Sequence, residues 1–158
     1  NMSKYILTIK MPLKIIYNVL LPLLLGAFLY ISFRSTTIRM FDWFEFIGIE
    51  QFTNLIRISF HPIKSSLPTW IYYSLPDGLW MYSFSSVYLL IWRKEIGNGK
   101  YWLLIPLITG CLFEILQGLK LFEGTFDPID LSLCLLALML SIITNFYIQK
   151  NEKQKQIF

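Results

Sequence analysis

Five polar side chains lie inside or beside apolar segments of this chain, and their types are those that do chemistry. Two are acids within apolar segments, one is an amide, and two are acids opening the last apolar segment: Asp77, Glu114, Gln117, Asp127 and Asp130. Ionisable groups at membrane depth are costly, so each is a functional candidate. Carboxylates held close together cannot all ionise, so one stays protonated or a cation neutralises them. The set predicts a pocket for a cation, a proton or a polar head group.

A structural interpretation of the same residues stays open. Ser74-Leu75-Pro76-Asp77 and Asp127-Pro128-Ile129-Asp130 each have the form of a capped helix start. Small and polar residues also form stripes that permit close helix packing. The three stripes are Ser74, Asp77, Gly78, Met81 and Ser85; Gly110, Cys111, Glu114, Gln117 and Gly118; and Asp130, Cys134, Ala137, Ser141 and Asn145. They predict that the helices carrying them pack face to face.

The composition excludes a free water-soluble enzyme. Of 158 residues, 55% are hydrophobic and 15% are charged, whereas soluble domains carry about 25% charged residues. The net charge of +4 suits anionic lipid head groups. The sequence has no basic stripe with interleaved aromatic residues, so nucleic acid is not predicted as a partner. Cys111 and Cys134 lie in apolar segments without a second Cys or His at ligand spacing, so no disulfide, metal site or cofactor is predicted.

The apolar segments predict an all-α, polytopic membrane protein. A spanning helix needs about 20 mostly apolar residues, and four segments qualify, at about 13–33, 74–92, 101–121 and 128–148. We expect one membrane domain over residues 1–158, with four transmembrane helices in a bundle.

The connection 34–73 predicts an amphipathic extracytoplasmic loop. From residue 49 onward, one helical face is apolar and the other polar. The apolar face holds Ile49, Phe52, Leu55 and Ile56, and the polar face holds Glu50, Gln51, Asn54 and Arg57. This pattern indicates a short helix in the outer membrane interface, and two strands stay open for the earlier part. Four aromatic residues are expected at head-group depth: Trp43, Trp70, Tyr72 and Tyr73.

Lysine and arginine positions predict the orientation, because short cytoplasmic loops carry more of them. The basic segments are the N-terminal stretch, the loop after the second span and the C-terminal tail: Lys4, Lys10, Lys14; Arg93, Lys94, Lys100; Lys150, Lys153, Lys155. With four spans all three lie on one side, so both termini are predicted to be cytoplasmic. The acidic hairpin between the third and fourth spans, where Lys120 is the cation nearest in sequence to the acids, then lies outside.

The stretch FEILQGLKLFEGTFDPIDLSLCLLALMLS resembles the VanZ-like membrane proteins. That family carries a Glu-x-x-Gln pair, a Gly-Thr-Phe-like loop ending in Asp, and a helix of small residues. The matching residues are Glu114, Gln117, Gly124-Thr125-Phe126 and Asp130, and Pro76-Asp77 is similar to the family's helix opening. The family's Lys after that Asp, its nearby His and its loop Arg have no counterpart here. The resemblance implies a small bacterial envelope protein of the cytoplasmic (inner) membrane, from a family linked to resistance to the glycopeptide teicoplanin.

Three functions stay open. The first is an envelope protein whose outward acidic pocket binds a lipid-linked or head-group ligand. Glu114 and Gln117 would coordinate that ligand, with Asp77 and Asp130 at the rim beside Asp127. The second is a non-catalytic subunit of a larger membrane complex, whose partner binds the loop 34–73 or the polar stripes. The third is an ion- or proton-coupled channel element, which requires oligomerisation. No nucleophile or metal set is specified, so no catalytic residue is predicted.

Overall fold

The computed structural model describes residues 13–92, 104–121 and 126–155, and all regular structure in these ranges is helical. The helices are α1 (Leu13–Phe33, with a π-helical segment over Ile16–Leu20), α2 (Arg39–Phe46), α3 (Glu50–Lys64), α4 (Thr69–Tyr73), α5 (Leu75–Ile91), α6 (Leu104–Gly118) and α7 (Pro128–Lys155). The all-α prediction is confirmed. The two-strand alternative for the segment after α1 is wrong, because that segment contains the helix α2.

Several predicted features lie outside the described residues. They are Lys4, Lys10, Arg93, Lys94, Lys100 and the Gly124-Thr125 part of the matched motif. The predicted orientation therefore stays a prediction. The last predicted span ends at about 148, whereas α7 continues as one helix to Lys155.

Two of the described helices are long and apolar enough to cross a bilayer, namely Leu13–Phe33 and Pro128–Phe146. In each of these two helices, only 22% of the most apolar 18-residue stretch is buried inside the protein. A core helix of a soluble protein would be mostly buried, so this exposure agrees with an apolar surrounding. The helices α5, with 17 residues, and α6, described over 15 residues, are shorter than the roughly 20 residues of a full span.

The bundle is centred on α5, which packs most extensively against α7 and also against α1, while α6 lies on α7 and α5. The predicted stripes form these contacts. Gly78, Met81 and Ser85 of α5 are buried, and Cys134 and Ala137 of α7 are buried against Met81. Gly110 of α6 lies so close to the Met81 terminal methyl that an added Cβ would overlap it. Small residues therefore set the close approach of these helices, as the stripes predict.

Hydrogen bonds between helices join α1, α5 and α7 away from the acidic end. The Tyr82 hydroxyl donates to Asn18 Oδ1 at 3.0 Å and lies 3.0 Å from Thr144 Oγ1. The Ser86 and Ser141 hydroxyls, both fully buried, are 3.0 Å apart. Such bonds contribute to helix association where water cannot compete for the polar groups.

The segment 34–73, which is predicted to lie outside the membrane and is called the outer segment below, folds back onto the C-terminal end of α1. Arg57 Nη1 of α3 donates to Ile31 O at 2.8 Å, and Lys64 Nζ donates to Phe33 O at 2.8 Å. The last carbonyls of a helix have no partner within it, so the two cations satisfy them. Partial burial lowers the pKa of the Arg57 guanidinium from its ordinary value, but arginine stays charged at neutral pH.

The predicted helix in the outer segment is confirmed as α3, but its polar face is not simply turned to water. Arg57 faces α1, while Phe52 and Leu55 on the predicted apolar face are each 65% exposed. Helical periodicity predicts which residues share a face, and the contact with the α1 carbonyls decides which face points inward. The exposed apolar side chains are left for a bilayer or a partner.

Candidate functional site

The five residues predicted as a site line one partly open cavity of about 450 Å³. Asp77 lies in the first turn of α5, Glu114 and Gln117 lie in the last turns of α6, and Asp127 and Asp130 open α7. The antiparallel course of these helices brings the three ends together. The volume falls within the roughly 300–1,000 Å³ typical of small-ligand sites. Ligand binding by these residues stays a prediction.

Asp127 caps α7 and is itself held by α6. Its Oδ1 accepts a hydrogen bond from the Ile129 N–H at 2.8 Å, with Pro128 at the first helical position. This is the capping arrangement that the sequence predicts. Glu114 Oε2 accepts a hydrogen bond from the Asp127 N–H at 3.3 Å. The acid of α6 thus stabilises the start of α7.

The matching cap predicted at Ser74 is wrong. Ser74 has φ −106° and ψ −35°, which is helical backbone, and its side chain makes no capping hydrogen bond. Capping requires extended backbone at this position, so that the side chain can turn back to the first turn. Here α4 runs into α5 through Ser74, whose N–H bonds to Trp70 O at 3.0 Å. The Ser74 hydroxyl has no hydrogen-bond partner among the described residues, and Ser74 is among the residues that line the cavity.

The cavity also contains residues that were not predicted as site residues. They are Arg34, Thr69, Trp70, Tyr73, Ser74 and Ile129. Arg34 directly follows α1, and its guanidinium carbon lies 5.2 Å from the Tyr30 ring centre and 5.0 Å from that of Tyr73. Lysine and arginine are usually concentrated on the cytoplasmic side of a membrane protein, whereas Arg34 follows the predicted outer end of the first span. This departure from the usual distribution could have identified Arg34 as a candidate from the sequence.

Lys120, predicted as the nearest cation, has a different place. It is exposed and adopts a positive φ of 57° just after α6. Its N–H bonds to Gln117 O, and the Leu121 N–H bonds to Leu116 O, both at 2.9 Å. This pair of bonds ends a helix in the Schellman arrangement. Lys120 therefore terminates α6, and Arg34 is the cation among the cavity-lining residues.

Polar atoms in the cavity wall lack partners. Over the described ranges, the buried side-chain nitrogen and oxygen atoms without a hydrogen bond are Arg34 Nε, Ser74 Oγ and Asp130 Oδ1. All three belong to residues that line the cavity, and Ser74 is only 1% exposed. An unsatisfied buried polar group costs about 1–3 kcal/mol. The wall thus includes a donor, an acceptor and a hydroxyl that have no partner in the part of the chain that this structure describes.

The charges of the wall are unequal, with the four carboxylates of Asp77, Glu114, Asp127 and Asp130 against the one guanidinium of Arg34. Asp130, Glu114 and Arg34 are near enough to act electrostatically on Asp77. Within the part of the chain that the structure describes, no three acidic, histidine or cysteine side chains are grouped to share a metal ion. The arrangement suits a polar ligand that carries positive charge.

Comparisons with known proteins add no relative: no protein-family model, curated protein or solved structure matches this chain. The VanZ-like resemblance therefore stays a hypothesis carried by its motif residues. Of these, Glu114, Gln117 and Asp130 line the cavity.

Proposed function

We propose that this chain is a VanZ-like bacterial envelope protein that binds the polar head group of a lipid or lipid-linked molecule. In this proposal α1, α5, α6 and α7 are four spans of the cytoplasmic membrane, with both termini in the cytoplasm. The cavity then opens toward the outer face, at the level of the lipid head groups.

Exposed apolar side chains support the membrane part of the proposal. Leu24 of α1 is 64% exposed, Ile108 of α6 is 56% exposed and Ile143 of α7 is 58% exposed. Large contiguous apolar surfaces are unfavourable in water and are typical of lipid-facing helices. Trp70 and Tyr73, 41% and 43% exposed at the cavity, suit the aromatic belt at the membrane interface.

The observation that carries the binding proposal is the composition of the cavity wall. Acids from three helices converge there, and the unpartnered buried atoms of Arg34, Ser74 and Asp130 belong to the same wall. Polar residues that only hold helices together would be expected to satisfy their hydrogen bonds with one another. Unsatisfied groups around a cavity instead favour an occupant that completes them.

Native mass spectrometry of the purified protein with bound lipid tests this function. We expect the wild type to retain lipid from mild detergent, and Glu114→Gln to lower the affinity by about tenfold, or ~1.4 kcal/mol, through loss of one charge. The matched control is Glu45→Gln, because Glu45 is exposed on α2 away from the cavity. Absence of retained lipid in the wild type, or equal loss in both variants, would contradict the proposal.

The link to glycopeptide tolerance rests on the resemblance and has a separate test. Cells that express the wild type are expected to grow at higher teicoplanin concentrations than cells that express Glu114→Gln at the same level. Equal susceptibility would remove the antibiotic part of the proposal and leave head-group binding in place.

The accessory-subunit function also has an observation in its favour. Trp43 and Phe46 of α2 are 68% and 92% exposed, and Ile58 of α3 is 72% exposed. These side chains can lie in the membrane interface or against another protein. Purification in mild detergent distinguishes the membrane interface from a partner protein. Co-purification of a larger protein in stoichiometric amount, and its loss in the Phe46→Ser variant, would support the subunit function.

A further inference from the structure

We propose that the occupant of the cavity is a phosphoethanolamine group, whose phosphate binds Arg34 and whose ammonium binds Asp77 and Asp130. This inference rests on the proposed head-group site and names the chemistry of its ligand. It is carried by the kinds of unpartnered atoms, by their charges and by the size of the cavity.

The unpartnered atoms require a ligand with both a hydrogen-bond acceptor and a donor. Arg34 Nε can only donate, Asp130 Oδ1 accepts when ionised, and Ser74 Oγ can do either. A simple cation would leave Arg34 unsatisfied, and a simple anion would leave Asp130 unsatisfied. A ligand with separate negative and positive groups satisfies both.

Arg34 has the features of a phosphate-binding side chain. Tyr30 and Tyr73 hold its guanidinium, at 5.2 Å and 5.0 Å from their ring centres, which fixes the plane of its donors. A planar guanidinium binds phosphate oxygens through two parallel hydrogen bonds. Nε is buried without a partner, so an anion that reaches it through a shift of the Arg34 side chain would gain a charge-assisted bond.

The acids differ in how far their oxygens are already engaged in hydrogen bonds. Glu114 and Asp127 are engaged in holding the start of α7. Asp130 Oδ1 is buried without a hydrogen bond from the described residues, and Asp77 lines the cavity near Asp130 and Arg34. A primary ammonium has three N–H donors for these carboxylates and for Ser74 Oγ. A trimethylammonium group has no N–H donor, so it cannot complete them.

The size of the cavity favours an organic group over a lone ion. Its volume of about 450 Å³ is more than ten times the roughly 30 Å³ that one water molecule takes in the liquid. A single ammonium or metal ion would leave most of this space to water. A phosphate joined to an amine by two carbons places opposite charges a short distance apart, and Arg34 and Asp130 are both near enough to Asp77 to act on it electrostatically.

A lipid series tests the ligand class with the full-length protein. Binding of phosphatidylethanolamine, its mono-, di- and trimethylated forms and phosphatidylglycerol is measured by native mass spectrometry of the delipidated protein. We expect phosphatidylethanolamine to bind at least about tenfold more tightly than the trimethylated lipid or phosphatidylglycerol. Binding of all these lipids with equal affinity would overturn the inference while leaving the head-group site standing. Failure of every lipid to bind would overturn both.

Substitutions of Arg34 and Asp130 test which residue binds the phosphate and which binds the ammonium. Arg34→Gln is expected to weaken the binding of phosphatidylethanolamine by at least about tenfold. Asp130→Asn is expected to abolish the preference for phosphatidylethanolamine over the trimethylated lipid. The controls are Arg39→Gln and Asp42→Asn, which alter exposed residues of α2 outside the cavity. Retained preference in a folded Asp130→Asn protein would overturn the ammonium assignment. If Asp130→Asn does not fold, the lipid series with the wild type decides alone.

A competition experiment separates the two sources of this head group. Soluble glycerophosphoethanolamine carries the same phosphate and ammonium without acyl chains. Displacement of the bound lipid by this compound supports the head-group chemistry with a water-borne source. Displacement only by intact phosphatidylethanolamine supports the same chemistry with the bilayer as the source.

Discussion

The Glu114 carboxylate of α6 accepts a hydrogen bond of 3.3 Å from the backbone N–H of Asp127 at the start of α7. Asp127 in turn caps α7 through the Ile129 N–H at 2.8 Å. An acid of one helix therefore sets the start of the next, and with it the position of Asp130 one turn later. Glu114 thus has a structural role in addition to its proposed role at the cavity.

These two roles can be separated by two substitutions at Glu114. Glutamine keeps an acceptor oxygen for the Asp127 N–H, so Glu114→Gln should leave thermal stability in detergent nearly unchanged. Leucine removes the acceptor, so Glu114→Leu should lower the free energy of unfolding by about 1 kcal/mol. If Glu114→Gln destabilises the protein as much as Glu114→Leu, the charge itself holds the α6–α7 connection together.

Tyr82 should be a stabilising residue of the bundle. Its hydroxyl contacts Asn18 of α1 and Thr144 of α7, so Tyr82→Phe removes bonds to two neighbouring helices. Hydrogen bonds between membrane helices contribute about 0.6 kcal/mol on average and up to about 1.7 kcal/mol, and we expect a loss in this range. The measurement is equilibrium unfolding in a mixed detergent.

Tyr88→Phe is the matched control for this prediction. Tyr88 lies on the same helix, and its ring packs edge-on against Phe84 at 5.1 Å. Its hydroxyl makes no hydrogen bond to any residue described in the structure, so its removal should leave stability unchanged. Equal effects of the two substitutions would mean that Tyr82 does not bridge the helices.

Lys120 and Gly48 hold equivalent positions, and substitutions there should have opposite effects. Gly48 ends α2 with a φ of 78°, and Lys120 follows α6 with a φ of 57°. Left-handed backbone suits glycine and strains other residues. Lys120→Gly should therefore raise the free energy of unfolding by about 0.5–1 kcal/mol, and Gly48→Ala should lower it by about 1 kcal/mol.

Unfolding transitions of the two variants, measured side by side with the wild type, check this pair. Lipid binding by Lys120→Gly should be unchanged, because Lys120 does not line the cavity. A destabilised Lys120→Gly protein, or one that has lost lipid, would show that the lysine side chain has a role beyond ending the helix.

The sequence predicts that the acids meet at one end of the bundle, for a simple geometric reason. Apolar length locates the helix ends, and antiparallel helices bring Asp77, Glu114 and Asp130 to one end of the bundle. The small-residue stripes add the rotation of the helices, since Gly78 and Gly110 lie at close contacts with α7 and α5. Local pattern and tertiary packing therefore agree for this part of the molecule.

The rest of the site depends on how the outer segment folds back, which no local pattern encodes. Arg34 belongs to the cavity because α4 brings Tyr73 against it. Ser74 does not cap α5, because α4 leads directly into α5. Arg57 turns toward α1 because the terminal carbonyls of that helix need donors. Each outcome is decided by contacts between residues distant in sequence or by neighbouring helix geometry.

The central claim is that acids from separate helices surround a cavity that water reaches from the outer face of the membrane. The direct measurement uses Gln117→Cys, a position that lines the cavity, with Cys111 and Cys134 replaced by alanine. Cationic and anionic thiosulfonate reagents are added to the outer side of intact cells, and the modification rates are compared. Because a thiolate itself favours a cationic reagent, the ratio of the two rates is compared with that of a small free thiol in solution. We predict a ratio at least about tenfold larger for Gln117→Cys, because a cleft lined by one sign of charge concentrates the opposite ion. No reaction from the outside, or the same ratio as the free thiol, would contradict the account.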